Sequence, residues 1–319
     1  MNKTIGLLAL LGWLGAAQAA YPDKPLTLIL GYTPGGAADA VSRVIAQELG
    51  NELGQQVVVS NRPGGAGVLA SDLVAKAAPD GYTLLLVSSA NSVNNSIFTK
   101  LPYDPATAFA AVMQVTHEAS YVMIVSPQSS IHTVADLVSY AKAQSGPISY
   151  ASAGTGGGPH LAGALLASMA AVPMTHVPYK GGSPAMLDVM RGEVSFYFSS
   201  VPTALAQIRG GKVRAVAVST AQRSTFLPGV PTVAESGMPG FSVSAWYGIV
   251  VPAKTPRAVV DKLNAALSKV VASPAVRSQL AEQGEQPAAA QTPEAFQRFM
   301  DAETKKYAKV VEIAGVQPQ

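Results

Sequence analysis

The sequence contains no cysteine among its 319 residues. This absence excludes disulfide bonds, thiol catalysis and metal sites with cysteine ligands. Charged residues are scarce, at 13% of the chain, and the formal net charge is only +3. No cluster of lysine and arginine forms the basic stripe typical of nucleic-acid binding, so we predict no nucleic-acid partner.

Sequence motifs for catalysis or cofactor binding are also missing. The four histidines are scattered, and no His-Glu-x-x-His or similar spacing indicates a metal site. No Gly-x-Ser-x-Gly motif supplies a serine nucleophile. The glycine-rich segment 154–159 lacks the third glycine of a dinucleotide fingerprint and the Gly-Lys-Ser/Thr ending of a phosphate-binding loop. We therefore predict that the protein is not an enzyme, has no catalytic residue and binds neither a metal nor a cofactor.

Segment 1–19 has the organisation of a secretory signal peptide. Lys3 provides the positive start, residues 5–14 are apolar, and Ala17-Gln18-Ala19 is a small-residue cleavage pattern. The apolar stretch is shorter than the roughly 20 residues of a membrane span. We predict cleavage near Ala19, export to the periplasm and a soluble, monomeric mature chain.

Strand-like apolar runs alternate with amphipathic helix-like runs along the rest of the chain. This alternation predicts an α/β fold with mainly parallel sheets flanked by helices. A mature chain of about 300 residues implies about two domains. We predict one lobe from residues 20–120 together with 246–319, and a second lobe from residues 121–245. Two hinge strands would join them, and the C-terminal helices would return to the first lobe.

Two local predictions concern the ends of elements. The helix-like run 37–49 is followed by Gly50, which is typical of a helix C-terminus. Residues 88–92 follow a predicted strand at 83–87 and are rich in serine and asparagine, which favours a polar loop.

The most informative pattern is a pair of glycine turns, each between a strand-like run and a helix-like run. The first turn is segment 33–39 and the second is segment 152–160. Such a unit directs free backbone N–H groups and a helix N-terminus at one point, which suits an anion. Either turn alone is explained by the positive φ angles that tight turns need. The pair, about 120 residues apart, favours two half-sites that face each other across a cleft.

Ligands of open α/β sheets lie outside the carboxyl ends of the strands. The residues predicted there include no lysine or arginine, which favours recognition of a carboxylate by backbone N–H groups, helix dipoles and hydroxyls. Asp39 either orders the ligand or pairs with Arg43, and His160 either donates to an anion or only caps its helix. The predicted ligand-binding residues are Tyr32, Pro34, Gly35, Gly36, Ala37, Asp39, Ser88, Ser89, Asn91, Gly154, Thr155, Gly156, Gly157, His160 and Ser199.

Short segments in a consistent order along the chain resemble those of one protein family, the Bug-type extracytoplasmic solute receptors of the tripartite tricarboxylate transporter family. The matching segments are 21–25, 33–39, 61–64, 79–85, 101–105, 154–156, 177–181, 231–237, 246–248 and 252–256. The resemblance implies a two-lobed periplasmic binding protein fold of type II that closes on a small carboxylate. It also implies that segment 32–39 holds one carboxylate, partly through ordered water, that segment 154–156 holds the other end, and that segment 88–91 lines the cleft.

The chain departs from this family pattern at positions of the predicted site. Gly157 replaces a common serine, and Tyr32 replaces a frequent phenylalanine. The predicted function is a periplasmic receptor that captures a small organic carboxylate and delivers it to a membrane transporter of the tripartite tricarboxylate type. A periplasmic sensor whose closed lobes dock on a signalling partner is the alternative, and it predicts the same cleft.

Overall fold

The computed structural model describes residues 21–316, and strands and helices alternate throughout this range. The predicted signal peptide lies outside the described residues. In chain order the strands are β1 (Leu26–Leu30), β2 (Val57–Asn61), β3 (Thr83–Ser88), β4 (Phe109–Val125), β5 (Ile148–Ser152), β6 (Met174–Pro178), β7 (Phe196–Ser200), β8 (Arg214–Val218) and β9 (Ser244–Pro252). The helices are α1 (Ala37–Leu53), α2 (Val68–Ala75), α3 (Ser89–Ile97), α4 (Val134–Ala143), α5 (Gly158–Ala170), α6 (Gly182–Arg191), α7 (Val201–Arg209), α8 (Arg257–Ala272), α9 (Pro274–Glu282) and α10 (Pro293–Ile313).

The strands form one mixed sheet with the order β2-β1-β3-β9-β4-β7-β5-β6, and β8 pairs with β4. The outer strands are parallel, because β1 pairs in parallel with β2 and β3, and β5 pairs in parallel with β6 and β7. The long strands β4 and β9 run antiparallel to each other and to their neighbours. The α/β fold predicted from the sequence is confirmed, with parallel pairing confined to the outer strands.

Strand β4 connects the two halves of the sheet. Residues 109–120 of β4 pair with β9, and residues 121–125 pair with β7 and β8. Three register shifts interrupt its pairing with β9, and irregularities of this kind bend a strand. We call β1–β3, β9 and residues 109–120 of β4 the first half of the sheet. The second half consists of β5–β8 and residues 121–125 of β4. The sequence predicted only the last five residues of β4, because buried polar residues such as Gln114 and Thr116 interrupt its apolar pattern.

Each half has its own hydrophobic core. Leu28 of β1, Ile45 of α1 and Leu267 of α8 are fully buried in the first. Phe196 of β7 and Leu161 of α5 are fully buried in the second. Helices α1 and α8 present their apolar faces to the first core, as a half-buried helix on a sheet must. No helix of residues 21–316 is both long enough and apolar enough to cross a membrane.

Helix α10 packs on both halves of the sheet. Phe296 near its start meets the ring of Trp246 edge-on, with the ring centroids 6.0 Å apart. Tyr307 and Val310, further along the helix, belong to the second core. The Tyr307 hydroxyl donates to the carbonyl of Ser244 at 2.5 Å, which fixes the helix to the start of β9. The sequence did not predict that this helix would reach the second core.

Two local predictions were wrong. Helix α1 continues through Gly50 and ends at Gly54, which has a φ of 70°. The small size of Gly50 serves close packing instead, because a Cβ atom there would lie 3.1 Å from the carbonyl oxygen of Gln55. Residues 89–92 are helical, because Ser88 and Asn91 form a capping box that starts α3. Helix α7, which begins directly after β7, was not predicted.

Candidate functional site

The first glycine turn lies between β1 and α1. Gly35 has a φ of 84°, and its N–H group donates to Oδ2 of Asp39 at 3.0 Å. Gly36 is the N-cap of α1, and no side chain caps this helix end. The N–H groups of the first helical turn therefore have no partner within the helix. Gly36 is exposed and Ala37 is half-buried, so their N–H groups face solvent. Pro34 and Gly35 are exposed as well, but Pro34 has no N–H group and that of Gly35 is held by Asp39.

Asp39 is buried and holds the first turn together. Its carboxylate accepts hydrogen bonds from Gly35, from Nε and Nη2 of Arg43 at 3.0 and 3.1 Å, and from Nδ2 of Asn61 at 3.0 Å. Burial alone would raise the pKa of Asp39, but the hydrogen bonds from Arg43, Gly35 and Asn61 lower it below its ordinary value. The predicted pairing of Asp39 with Arg43 is confirmed. Asn61 also donates to the carbonyl of Tyr32, so the end of β2 supports the same turn.

The predicted residues that follow β1 and β3 meet because these strands are neighbours in the sheet. The hydroxyl of Tyr32 lies 2.5 Å from Oγ of Ser88. Burial raises the pKa of Tyr32, and the hydrogen bond with Ser88 opposes this shift. Asn91 has another role, because its Oδ1 accepts from the backbone N–H of Ser88 and its Nδ2 donates to Oγ of Ser71. The Asn91 side chain therefore stabilises the start of α3.

The second glycine turn, between β5 and α5, repeats the geometry of the first. Gly154 and Gly156 have φ angles of 141° and 81°. The N–H group of Gly156 donates to Nδ1 of His160 at 3.1 Å, just as Gly35 donates to the residue four positions later. Gly157 is the N-cap of α5 and has no side-chain cap. Since Nδ1 of His160 accepts a hydrogen bond, this ring is neutral and orders the turn.

His160 stacks on His176, with the ring centroids 3.9 Å apart. Oγ of Ser152 lies 2.6 Å from Nε2 of His176, and the ring of Tyr150 stacks on His176 at 5.2 Å. Burial lowers the pKa of both histidines to about 4, and for His176 the charge of His160 contributes as well. Neither ring is therefore cationic at neutral pH.

The lowered pKa values of His160 and His176 make the stability of the folded protein depend on pH. Between pH 6.5 and 4 the unfolded chain binds protons at these histidines and the folded protein does not, so stability falls as the pH falls. We expect this loss to be steeper for the wild type than for a His160→Gln variant, by up to about 1.4 kcal/mol per pH unit. Urea unfolding between pH 7 and 4.5 measures the difference. Exposed His132→Gln is the control and should follow the wild type; parallel profiles for all three proteins would contradict this effect.

The second turn lies against α3 and β4. A Cβ atom on Gly156 would lie 2.3 Å from Cδ1 of Ile97, at the end of α3. A Cβ atom on Gly158 would lie 2.3 Å from the hydroxyl oxygen of Tyr121, and Tyr121 hydrogen-bonds with Ser89. Glycines at these two positions thus allow the turn to approach the end of α3 and Tyr121 of β4.

Two other predicted ligand-binding residues take no part in the hydrogen bonds that order the two turns. Thr155 is exposed at the tip of the second turn. Ser199 is fully buried in β7 opposite Val122, and its hydroxyl donates to the carbonyl of Ser200 at 3.2 Å. Within residues 21–316, no hydrogen bond joins the Ser199 side chain to either glycine turn.

Sequence reasoning missed three residues of this region. Tyr247 pairs with Ser88 across β3 and β9, and it interacts electrostatically with Tyr32 and Tyr121. We call Tyr32, Tyr121 and Tyr247 the tyrosine cluster; burial is the main cause that raises the pKa of each. The buried carboxyl group of Glu285 raises the pKa of Tyr121 and Tyr247 further. Tyr247 belongs to the family segment 246–248, but no sequence signal marked Glu285. No group of three or more His, Asp or Glu in the described part of the chain is arranged to hold a metal ion.

The sequence profile of the tripartite tricarboxylate transporter family receptor matches residues 41–316. The chain belongs to this family. Tripartite tricarboxylate transporter receptors are periplasmic solute-binding proteins and not an enzyme family. Protein BugT of Bordetella pertussis is 34% identical to this receptor over 324 residues, which cover 99% of each chain.

Solved structures of similar proteins confirm the fold. Rpa4515 of R. palustris, solved with adipate, matches with a TM-score of 0.87 and 32% identity, over 94% of this receptor and all of that chain. MatC of Rhodopseudomonas palustris, solved with bound malate, matches with a TM-score of 0.83 and 31% identity, over 91% of this receptor and all of that chain. The α/β periplasmic binding protein fold predicted for this tripartite tricarboxylate transporter receptor is therefore confirmed.

Proposed function

We propose that this protein is a periplasmic receptor that binds a small organic mono- or dicarboxylate between two lobes and delivers it to a tripartite tricarboxylate-type membrane transporter. The observation that carries the proposal is the repeated geometry of the two glycine turns. Each turn places an uncapped helix N-terminus beside a glycine whose N–H group is held by the residue four positions later. Helix N-termini of this kind bind anions without cationic side chains.

The two turns would have different parts of the ligand to bind. Gly36 and Ala37 would offer backbone N–H groups to one carboxylate, with Pro34 and Gly35 lining the same turn, and Tyr32, Ser88 and Ser89 would add hydroxyls beside it. Segment 154–157 would bind the other end of the ligand. Asp39, Asn91 and His160 would act as positioning residues, because their polar atoms already hold the two turns and α3.

The predicted division into lobes is supported by the partner change of β4 after residue 120. We propose lobes of residues 20–120 with 246–319 and of residues 121–245, with β4 and β9 as the hinge strands. A ligand that contacts both turns binds the closed form better than the open form. It therefore shifts the lobes toward closure in proportion to that difference in affinity.

The ligand class is supported by relatives, since similar receptors were solved with adipate and with malate. We propose that this receptor binds its ligand without chemical change and without a cofactor, acts as a monomer, contacts the transporter subunits transiently and does not bind nucleic acid. Export of the chain with removal of segment 1–19 completes the proposal.

A thermal-shift screen tests the function. The panel consists of malate, adipate, succinate, glutarate, citrate and benzoate, with 1,6-hexanediol as the uncharged match of adipate. At 100 times its Kd, a ligand stabilises the folded protein by about 2.7 kcal/mol. We expect at least one acid to raise Tm by roughly 5 °C or more, and the diol to leave it unchanged. A panel without any shift, or an equal shift by the diol, would contradict carboxylate binding.

A further inference from the structure

Glu285 is an unused polar group beside the proposed cleft. It lies between α9 and α10, and only 2% of its surface is exposed. In the part of the chain that the structure describes, Oε2 of Glu285 is fully buried and accepts no hydrogen bond. A buried carboxyl oxygen without a hydrogen-bond partner lowers the stability of the fold. Oε2 of Glu285 is therefore a strong candidate for an atom that hydrogen-bonds with a ligand.

The backbone on both sides of Glu285 is held by contacts with β4 and α7. Pro287 forms a bridge with Thr116 in the middle of β4, and Gly284 packs against Pro202 at the start of α7. Gly284 and Gln286 line a surface cavity of about 300 Å³. The Glu285 carboxyl lies instead within electrostatic range of Tyr121 and Tyr247 in the tyrosine cluster. This segment therefore contacts β4 and α7, and its carboxyl group lies near Tyr121, which approaches Gly158, and near Tyr247, which pairs with Ser88.

We propose that Glu285 is a specificity-determining residue whose protonated carboxyl group donates a hydrogen bond to the bound carboxylate. This inference rests on the proposed function. An ionised Glu285 would repel an anionic ligand, whereas a neutral carboxyl group can donate to it, as neutral buried acids do in other sites. The titratable groups that face Glu285 are the hydroxyls of Tyr247 on β9 and Tyr121 on β4, with Tyr32 after β1 next to both.

The protonation state follows from the surroundings. Burial raises the pKa of Glu285 to about 8, so the carboxyl group is neutral at pH 7. The tyrosines of the cluster titrate at higher pH, because burial raises their pKa as well. A ligand with an ammonium group at this position would instead favour ionised Glu285. The two ligand chemistries therefore have opposite pH dependence.

Calorimetric titration at pH 7, 8 and 9 tests the inference with the acid that gives the largest shift in the thermal-shift panel. For the wild type we expect Kd to rise about tenfold from pH 7 to pH 9, because ionised Glu285 no longer donates. Glu285→Gln keeps an N–H donor that does not titrate, so its Kd should stay within about threefold of the wild-type value at pH 7 and should not change with pH. Glu285→Leu should bind at least about tenfold more weakly at pH 7. Exposed Glu282→Gln is the matched control and should retain the wild-type profile.

Three results would overturn the inference and leave carboxylate binding intact. These are a wild-type Kd independent of pH, an affinity that increases with pH, and a Gln variant that loses binding as the Leu variant does. Failure of the wild type to bind any acid of the panel would overturn the proposed function and this inference together.

Discussion

The Gly156→Ala variant is expected to bind its carboxylate at least about a hundredfold more weakly than the wild type, a loss of about 2.7 kcal/mol. The added Cβ atom would lie 2.3 Å from Cδ1 of Ile97, and the residue would retain a φ of 81°. Overpacking costs about 1–3 kcal/mol and a left-handed conformation about 1–2 kcal/mol for a residue with a Cβ atom. Either the Cδ1 methyl group of Ile97 or the turn must shift, and a shift of the turn moves its N–H donors away from the ligand. Calorimetry at pH 7 measures the loss.

Two matched variants separate the contact from the backbone strain. Gly181 has a φ of 119° with open space around its Cβ position, so Gly181→Ala introduces strain without a clash and should bind normally. Adding Ile97→Ala to Gly156→Ala removes the clashing Cδ1 atom and should recover part of the affinity, because only the strain remains. Wild-type affinity in Gly156→Ala, or no recovery in the double variant, would contradict the proposed approach of the second turn to α3.

Asp39→Ala is expected to lower both stability and affinity. The carboxylate accepts hydrogen bonds from Gly35, Arg43 and Asn61, and its loss leaves the donors of Gly35 and Asn61 without this acceptor. We expect unfolding to become easier by roughly 2–3 kcal/mol at pH 7, since the largely exposed Arg43 contributes little after solvent screening. Binding should weaken at least about tenfold, because Gly35 and the start of α1 lose their fixed positions.

The pH dependence of this effect follows from the lowered pKa of Asp39. Its contribution to stability is complete above the ordinary pKa of aspartate, about 4, and is lost as the pH falls through the lower folded-state value. Urea unfolding of the wild type and the variant should therefore differ at pH 7 and converge toward pH 2. Asp136→Ala removes the carboxylate of the capping box at the N-terminus of α4, and it should lower stability without affecting binding. Equal effects of both variants on binding would contradict the role of Asp39.

The sequence predicted the parts of the fold and the site that depend on local pattern. The two turns, the pairing of Asp39 with Arg43 and the meeting of residues after β1 and β3 all follow from glycine placement, helical spacing and strand order. The misassigned loop at 88–92 shows where local pattern is ambiguous, because serine and asparagine favour both loops and helix caps. Tyr121, Tyr247 and Glu285 were missed for another reason. Their convergence depends on β4 changing partners and on the chain returning beside β4 after α9, and neither event leaves a local signal.

Helix α10 changes the mechanics of the proposed closure. Two strands alone would let one lobe both bend and twist relative to the other. In the described chain, α10 is a third and stiffer connection between the two halves. Phe296 packs against Trp246 in the first half, and Tyr307 lies in the core of the second half. A helix anchored in both halves adds a third constraint on how one lobe turns relative to the other. The open receptor then explores few orientations, so a ligand that closes it loses little rotational entropy of the lobes.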